Sequence, residues 1–158
     1  TFEANALLKA REVSAHTHRI SLADDSGLEV DALDGAPGVL SARYSGERAT
    51  DAQNNAKLLS ALEGLTPEQR RGRFRCVLAV WAPSGEYITV SGSWEGWIAT
   101  QPRGEHGFGY DPVFVDLDTG RTAAEMSREE KSSRSHRGQA LRELLRQWPD
   151  FAARISSP

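Results

Sequence analysis

Helix-like and strand-like hydrophobic patterns occupy different parts of this chain, and this division constrains its fold most. Apolar residues recur at helical spacing over residues 2–13 and again over residues 135–148. Runs typical of strands lie between them, at residues 20–33, 74–81, 87–90, 93–99 and 113–115. Helices at both ends with strands between them predict a mixed α/β architecture in which helices flank one long twisted sheet.

The chain length, net charge, cysteine count and apolar runs exclude several classes of protein. A chain of 158 residues suits one domain, or two lobes that share one sheet. The net charge of −3 provides no basic field for a nucleic-acid polymer. Cys76 is the only cysteine, so an internal disulfide and a cysteine-rich zinc site are excluded. No apolar run is long enough to span a membrane, and we expect a cytoplasmic protein without a membrane partner.

Three capping signals predict where helices begin. Thr50 and Ser127 are each followed three residues later by Gln or Glu, which is the capping-box spacing. Ser135 precedes a helix whose apolar residues are expected to form one stripe, namely Leu141, Leu144, Leu145 and Trp148. Residues 149–158 are expected to be frayed.

Two adjacent acids, Asp24 and Asp25, lie between two apolar alternations and are followed by Ser26 and Gly27. The pattern predicts a strand, a tight turn and a second strand, with Gly27 supplying a positive φ. Mg²⁺ typically takes one or two carboxylates together with substrate phosphates, and a nearby carboxylate can deprotonate an attacking water. The Ser26 hydroxyl could meet a phosphate oxygen. An ordinary turn is the alternative, because Asp, Ser and Gly all favour turns.

Other segments carry groups suited to a nucleotide. Asn5 and Lys9 are one helical turn apart, and a lysine ammonium can clamp a phosphate. Phe108 lies between two glycines, which favours an open aromatic face for stacking on a planar base. His136 and Arg137 begin the last helix, where cations oppose the helix dipole, so hydrogen bonds to a carbonyl-bearing base would explain them. Solvated helix faces and a glycine-rich surface turn are the alternatives.

Eight segments, taken in order, carry a family resemblance. They are Phe2–Ala10, Ala23–Leu28, Gly35–Gly38, Ser41–Gly46, Gly107–Pro112, Thr122–Met126, Glu130–Lys131 and Ser135–Gly138. This ordered set resembles the inosine triphosphate pyrophosphatase family, from residue 1 to about residue 148. The resemblance implies an elongated, two-lobed α/β fold with the active site in the cleft between the lobes, usually in a homodimer. It also implies Mg²⁺-dependent hydrolysis of inosine, deoxyinosine and xanthosine triphosphates to the monophosphate and pyrophosphate.

The resemblance assigns a role to each matching residue. Asp25 would be the general base and a metal ligand, with Asp24 beside it at the metal. Lys9 would act in catalysis and contact the phosphates with Ser26, and Asn5 is a further substrate-binding candidate. The base and the rest of the nucleotide would be held by Phe108, Gly109, Tyr110, Asp111, Lys131, His136 and Arg137.

The start of the chain departs from the family pattern. Family members open with a strand, a Ser/Thr-x-x-Asn-x-x-Lys phosphate loop, a helix and an acidic segment, and residues 1–158 do not include these. We therefore expect residues 1–158 to form a single pyrophosphatase domain that is N-terminally incomplete. The alternatives are a nucleotide-binding module without catalysis and a pyrophosphatase for other modified nucleotides.

Overall fold

A four-stranded antiparallel sheet with helices on both faces organises the computed structural model, which describes residues 1–156. The strands are β1 (Ser21–Val30), β2 (Arg71–Trp81), β3 (Tyr87–Ile98) and β4 (Phe114–Asp116), and they pair in that order. The helices are α1 (Phe2–Thr17), α2 (Asp51–Ala61), α3 (Arg128–Arg134) and α4 (His136–Ser156). Short 3₁₀ helices cover Asp31–Leu33, Gly38–Arg43, Pro67–Arg70 and Ala123–Glu125. The predicted mixed α/β architecture, with helices flanking a sheet, is confirmed.

The tight turn predicted at the acidic segment is wrong, because β1 is one continuous strand. Asp24, Asp25 and Ser26 lie opposite Leu78, Val77 and Cys76 of β2. The polar residues stay in the ladder because β2 supplies a pairing partner for each of them. Gly27 has no positive φ. A Cβ there would overlap the carbonyl oxygen of Gly38 and lie 2.7 Å from Ser41 Oγ, so close packing, not a turn, requires the glycine.

The capping predictions are confirmed. Thr50 and Gln53 form a reciprocal capping box at the start of α2, and Ser127 accepts the N–H of Glu130 at the start of α3. Ser135 Oγ accepts the N–H of Gly138 at the start of α4.

The end of the chain bears out one expectation and contradicts another. The predicted stripe lies along one side of α4, with Leu144 buried and with Leu141, Leu145 and Trp148 exposed. The core-facing side of α4 also contains Ala140 and Phe151. The frayed tail is a continuation of α4 through Pro149 to Ser156, and residues 157–158 lie outside the described residues.

The two faces of the sheet have separate cores. On one face, α1 buries Phe2, Ala6 and Ala10 against Val77 and Ala79. On the other face, α2 packs through Leu58 into the largest cluster, which the following residue Leu62 also joins. Helix α4 packs on this face through Leu144 and Phe151. Because side chains alternate along a strand, neighbouring residues of β1 are presented to different helices. Within residues 1–156, no helix combines the length and the apolar character needed to cross a membrane.

Candidate active site

Asp25 is held by two side chains of α1, and we call Asn5, Lys9 and Asp25 the acid cluster. Asn5 Nδ2 donates to Asp25 Oδ2 at 3.2 Å, and Lys9 Nζ donates to Asp25 Oδ1 at 3.0 Å. Asn5 and Lys9 meet the same carboxylate because they lie one turn apart on the face of α1 that covers β1. The Asp25 side chain is 17% exposed and that of Lys9 is 53% exposed. The carboxylate is therefore fixed, while the ammonium remains open to solvent and to an incoming anion.

Asp24 projects to the opposite face of β1. Its Oδ2 lies 3.5 Å from the Arg137 guanidinium and 3.5 Å from Ser26 Oγ. Lys9 also reaches back to the backbone carbonyl of Asp24, at 2.9 Å. The two acids therefore do not form a pair at the tip of a turn. They place one carboxylate on each side of the same strand, and no other strand covers that edge of the sheet among the described residues.

A pocket of about 240 Å³ lies on the Asp24 side of β1. We call it the aromatic pocket, and its lining includes Ser26, Phe74, Phe108, Lys131, His136 and Arg137. Eight of the predicted site residues therefore converge there, whereas Asp24 and the acid cluster lie outside the lining. The eight are Ser26, Phe108, Gly109, Tyr110, Asp111, Lys131, His136 and Arg137. Ser26 lies within β1, one residue from Asp25, and links the pocket to the acid cluster.

His136 is a buried ionisable residue of the pocket. Its side chain stacks on Phe74 with ring centroids 4.8 Å apart, and Nδ1 is buried without a hydrogen-bond partner. Burial, assisted by the positive charges of Arg137 and Lys131, lowers the pKa of His136 to about 3. The cation expected at this helix start is thus a neutral imidazole, which offers one donor and one acceptor.

Phe108 is exposed, as predicted. The residue is 61% exposed, and the cationic groups of Lys131 and Arg137 lie 4.7 and 5.6 Å from its ring centroid. Lys131 also forms an ion pair with the buried carboxylate of Asp111. Two cations therefore lie close to the ring of Phe108.

Tyr110 and Asp111 differ from Phe108 because both are buried. Tyr110 belongs to the core, and its hydroxyl donates to the carbonyl oxygen of Ser41 at 2.6 Å. Burial raises the pKa of Tyr110 above its ordinary value. Asp111 Oδ2 accepts the backbone N–H of Phe108 at 3.0 Å. In this structure both side chains bind protein groups that shape the pocket.

Sequence reasoning missed the contribution of α2. Asp51 and Asn54 line the aromatic pocket, and Asn55 is buried next to them. The available signal was a pair of asparagines in mid-helix, where Asn is disfavoured, with Asn54 one turn before the buried Leu58.

The carboxylates suit a magnesium ion only in combination with a substrate. No group of three or more His, Cys, Asp or Glu side chains able to hold a metal ion occurs among residues 1–156. Asp24 and Asp25 offer hard oxygen ligands at an open strand edge, and the Asp24 side chain is 47% exposed. Since Mg²⁺ is commonly held by one or two carboxylates plus substrate phosphates, this small donor set fits that ion.

The chain is similar to one family of known proteins in both sequence and structure. Residues 1–147 match the profile of the Ham1 family. The chain is 55% identical over 157 residues to the dITP/XTP pyrophosphatase of Nitratidesulfovibrio vulgaris, covering 96% of this chain and 76% of that protein. It is 53% identical to the dITP/XTP pyrophosphatase of Streptococcus pyogenes serotype M18, covering 99% of this chain but only 48% of that protein. A solved HAM1 protein from Coxiella burnetii superposes with a TM-score of 0.90 at 46% identity, covering 95% of this chain and 77% of that one.

Proposed function

This chain belongs to the Ham1 family, and on that premise we propose that it hydrolyses nonstandard purine nucleoside triphosphates to the monophosphate and pyrophosphate. The substrates are inosine, deoxyinosine and xanthosine triphosphates, which the enzyme removes from the nucleotide pool. The names of the related pyrophosphatases support this activity, and the family match supports the resemblance seen in the motifs.

One observation carries the proposal. The acid cluster and the aromatic pocket meet at the consecutive residues Asp24, Asp25 and Ser26 of β1. A nucleotide whose base enters the pocket would bring its phosphates to this strand edge, within reach of Lys9. A nucleotide needs one site for its base and another for the phosphate that reacts. The aromatic pocket would provide the first, and the carboxylate and lysine of the acid cluster would provide the second.

In the proposed mechanism, Asp25 is the general base. Asn5 and Lys9 hold its carboxylate, which accepts a proton from water while the water oxygen attacks the α-phosphorus in line. The bond from the α-phosphorus to the bridging oxygen breaks, and pyrophosphate leaves. Lys9 and Ser26 bind the phosphates and stabilise the charge on them. Mg²⁺ bound by Asp25 and Asp24 would offset phosphate charge and favour ionisation of the attacking water.

The base would be selected by hydrogen-bond donors in the aromatic pocket. His136 and Arg137 donate to the 6-keto oxygen, and Phe108 stacks on the base. Gly109, Tyr110, Asp111 and Lys131 complete the site. Adenine presents an amino group at that position, so its binding would leave buried donors unpaired. Sites of this kind can discriminate by about 10⁴–10⁵-fold. The position of His136 and Arg137 in the lining of this pocket supports the assignment.

The test is steady-state hydrolysis by the protein expressed from its complete gene, with Mg²⁺ and with inosine, xanthosine or adenosine triphosphate. We expect Asp25→Asn to lower kcat by about 10²–10⁴-fold, which is the usual loss with a general base. Asp34→Asn is the matched control, because Asp34 is exposed and Asn tolerates its left-handed backbone.

Equal kcat/KM for inosine and adenosine triphosphates would refute the selection of the 6-keto group. Binding of inosine triphosphate without turnover would favour a nucleotide-binding module. The homodimer implied by the resemblance and the cytoplasmic location expected from the sequence stay predictions.

A further inference from the structure

Two side chains of α2 bind both backbone polar groups of Gly109. Asp51 Oδ2 accepts the Gly109 N–H at 2.9 Å, and Asn55 Nδ2 donates to the Gly109 carbonyl oxygen at 3.1 Å. Asp51 and Asn55 lie one helical turn apart, so they reach the same residue from one face of α2. We call Asp51, Asn55 and Gly109 the α2 clamp.

The clamp restrains a segment that would otherwise be mobile. Gly107 and Gly109 both have positive φ values, of 77° and 61°, and glycine loses more conformational freedom on ordering than any other residue. On the other side of Phe108, Asp111 Oδ2 accepts the Phe108 N–H at 3.0 Å. The backbone of Phe108 is therefore held from both sides, although its ring is exposed.

The ring itself receives little support from packing. Its described close contacts are the cations of Lys131 and Arg137, which a bound base would have to share or displace. The orientation of the ring toward the pocket thus depends on the backbone beneath it. Asn54, also on α2, binds the backbone of another segment. Its Nδ2 donates to the Ala42 carbonyl oxygen, and its Oδ1 accepts the Ser45 N–H.

We propose that Asp51 and Asn55 are positioning residues, which act through Gly109 to hold Phe108 ready to stack on the purine base. This inference rests on the proposed function and adds a determinant of affinity for the base to it. Without the clamp, Phe108 would become ordered only when the base binds. The affinity would fall because binding would then include the loss of conformational entropy of this glycine-flanked residue. The phosphates bind elsewhere and would be unaffected.

The experiment compares Asp51→Ala with Asp51→Asn in the complete protein. Asp51→Asn removes the charge at the start of α2 but keeps an oxygen that can accept the Gly109 N–H, whereas Asp51→Ala removes both. We expect Asp51→Ala to raise the KM for inosine triphosphate about 10-fold, the effect of ordering roughly one residue. We expect kcat and the inhibition constant of inorganic triphosphate, which has no base, to stay within about 2-fold of wild type. Asp51→Asn should resemble wild type.

The same substitutions in a Phe108→Ala background separate positioning from general stability. If the clamp acts through Phe108, Asp51→Ala has no further effect on KM once the ring is gone. Additive effects, equal losses in Asp51→Asn and Asp51→Ala, or a parallel loss of affinity for inorganic triphosphate would each overturn the inference. An unchanged KM in Phe108→Ala alone would overturn it as well.

The behaviour of wild type distinguishes a failure of the α2 clamp from a failure of the proposed function. If wild type hydrolyses inosine triphosphate and Asp51→Ala leaves its KM unchanged, only the clamp is wrong. If wild type neither hydrolyses nor binds any 6-keto purine triphosphate, the proposed function is wrong and the clamp falls with it.

Discussion

At the scale of single residues, His136 has a measurable consequence for stability. The pKa of an exposed histidine is 6.5, whereas burial lowers that of His136 to about 3 in the folded protein. Between these two values the unfolded chain binds a proton that the folded chain does not, so acid favours unfolding. Above pH 6.5 both states are neutral and the residue contributes no pH dependence.

We therefore expect the free energy of unfolding to fall on acidification because of this group. Between pH 7 and pH 5 its contribution is about 2 kcal/mol. Denaturant unfolding of wild type and His136→Phe at both pH values measures it, and the variant should lose about that much less than wild type. His16→Phe, a change at an exposed histidine, should behave like wild type. An equal loss in wild type and His136→Phe would show that His136 titrates normally in the folded protein.

At the scale of elements, the contact between α4 and β3 sets the position of the pocket residues. A Cβ at Gly92 would overlap the carbonyl oxygen of His136 and lie 2.8 Å from the Ala140 nitrogen. Helix α4 thus begins directly against the backbone of β3. His136 and Arg137 are placed by this contact as well as by the Ser135 cap.

Gly92→Ala should displace the start of α4. We expect a loss of about 1–3 kcal/mol in unfolding free energy from overpacking. Because a shift of 1 Å near a site can reduce rates by ~10²-fold, kcat/KM for inosine triphosphate should fall by a comparable factor. Ser91→Ala, at the exposed neighbouring position of β3, is the control for both measurements. Full activity and stability in Gly92→Ala would mean that α4 is not fixed by this contact.

Some features of the helices and strands could be predicted from the sequence, and others could not. Local signals predicted the helix starts, since a capping box involves residues only three positions apart, as at Thr50. The motifs predicted that Asp25, Lys9 and Phe108 belong to one site. The faces of β1 could not be predicted, because pairing with β2 depends on residues about 50 positions away. The burial of His136 depends on Gly92 and Phe74, which are also far from it in sequence.

At the scale of the whole molecule, the sheet divides the candidate site into two parts. Helix α1 holds the acid cluster on one face, and α2, α3 and α4 surround the aromatic pocket on the other. β1 is the element common to both, at the open edge of the sheet. In the proposed function, a bound nucleotide would therefore cross this edge, with its base on one side and the phosphate to be attacked beside Asp25.

The position of bond cleavage tests this arrangement most directly. The protein expressed from its complete gene is incubated with inosine triphosphate and Mg²⁺ in ¹⁸O-labelled water, and the products are analysed by mass spectrometry. Attack of water on the α-phosphorus predicts inosine monophosphate that carries the ¹⁸O, together with unlabelled pyrophosphate. Inosine diphosphate with labelled inorganic phosphate, or label in the pyrophosphate, would contradict the account.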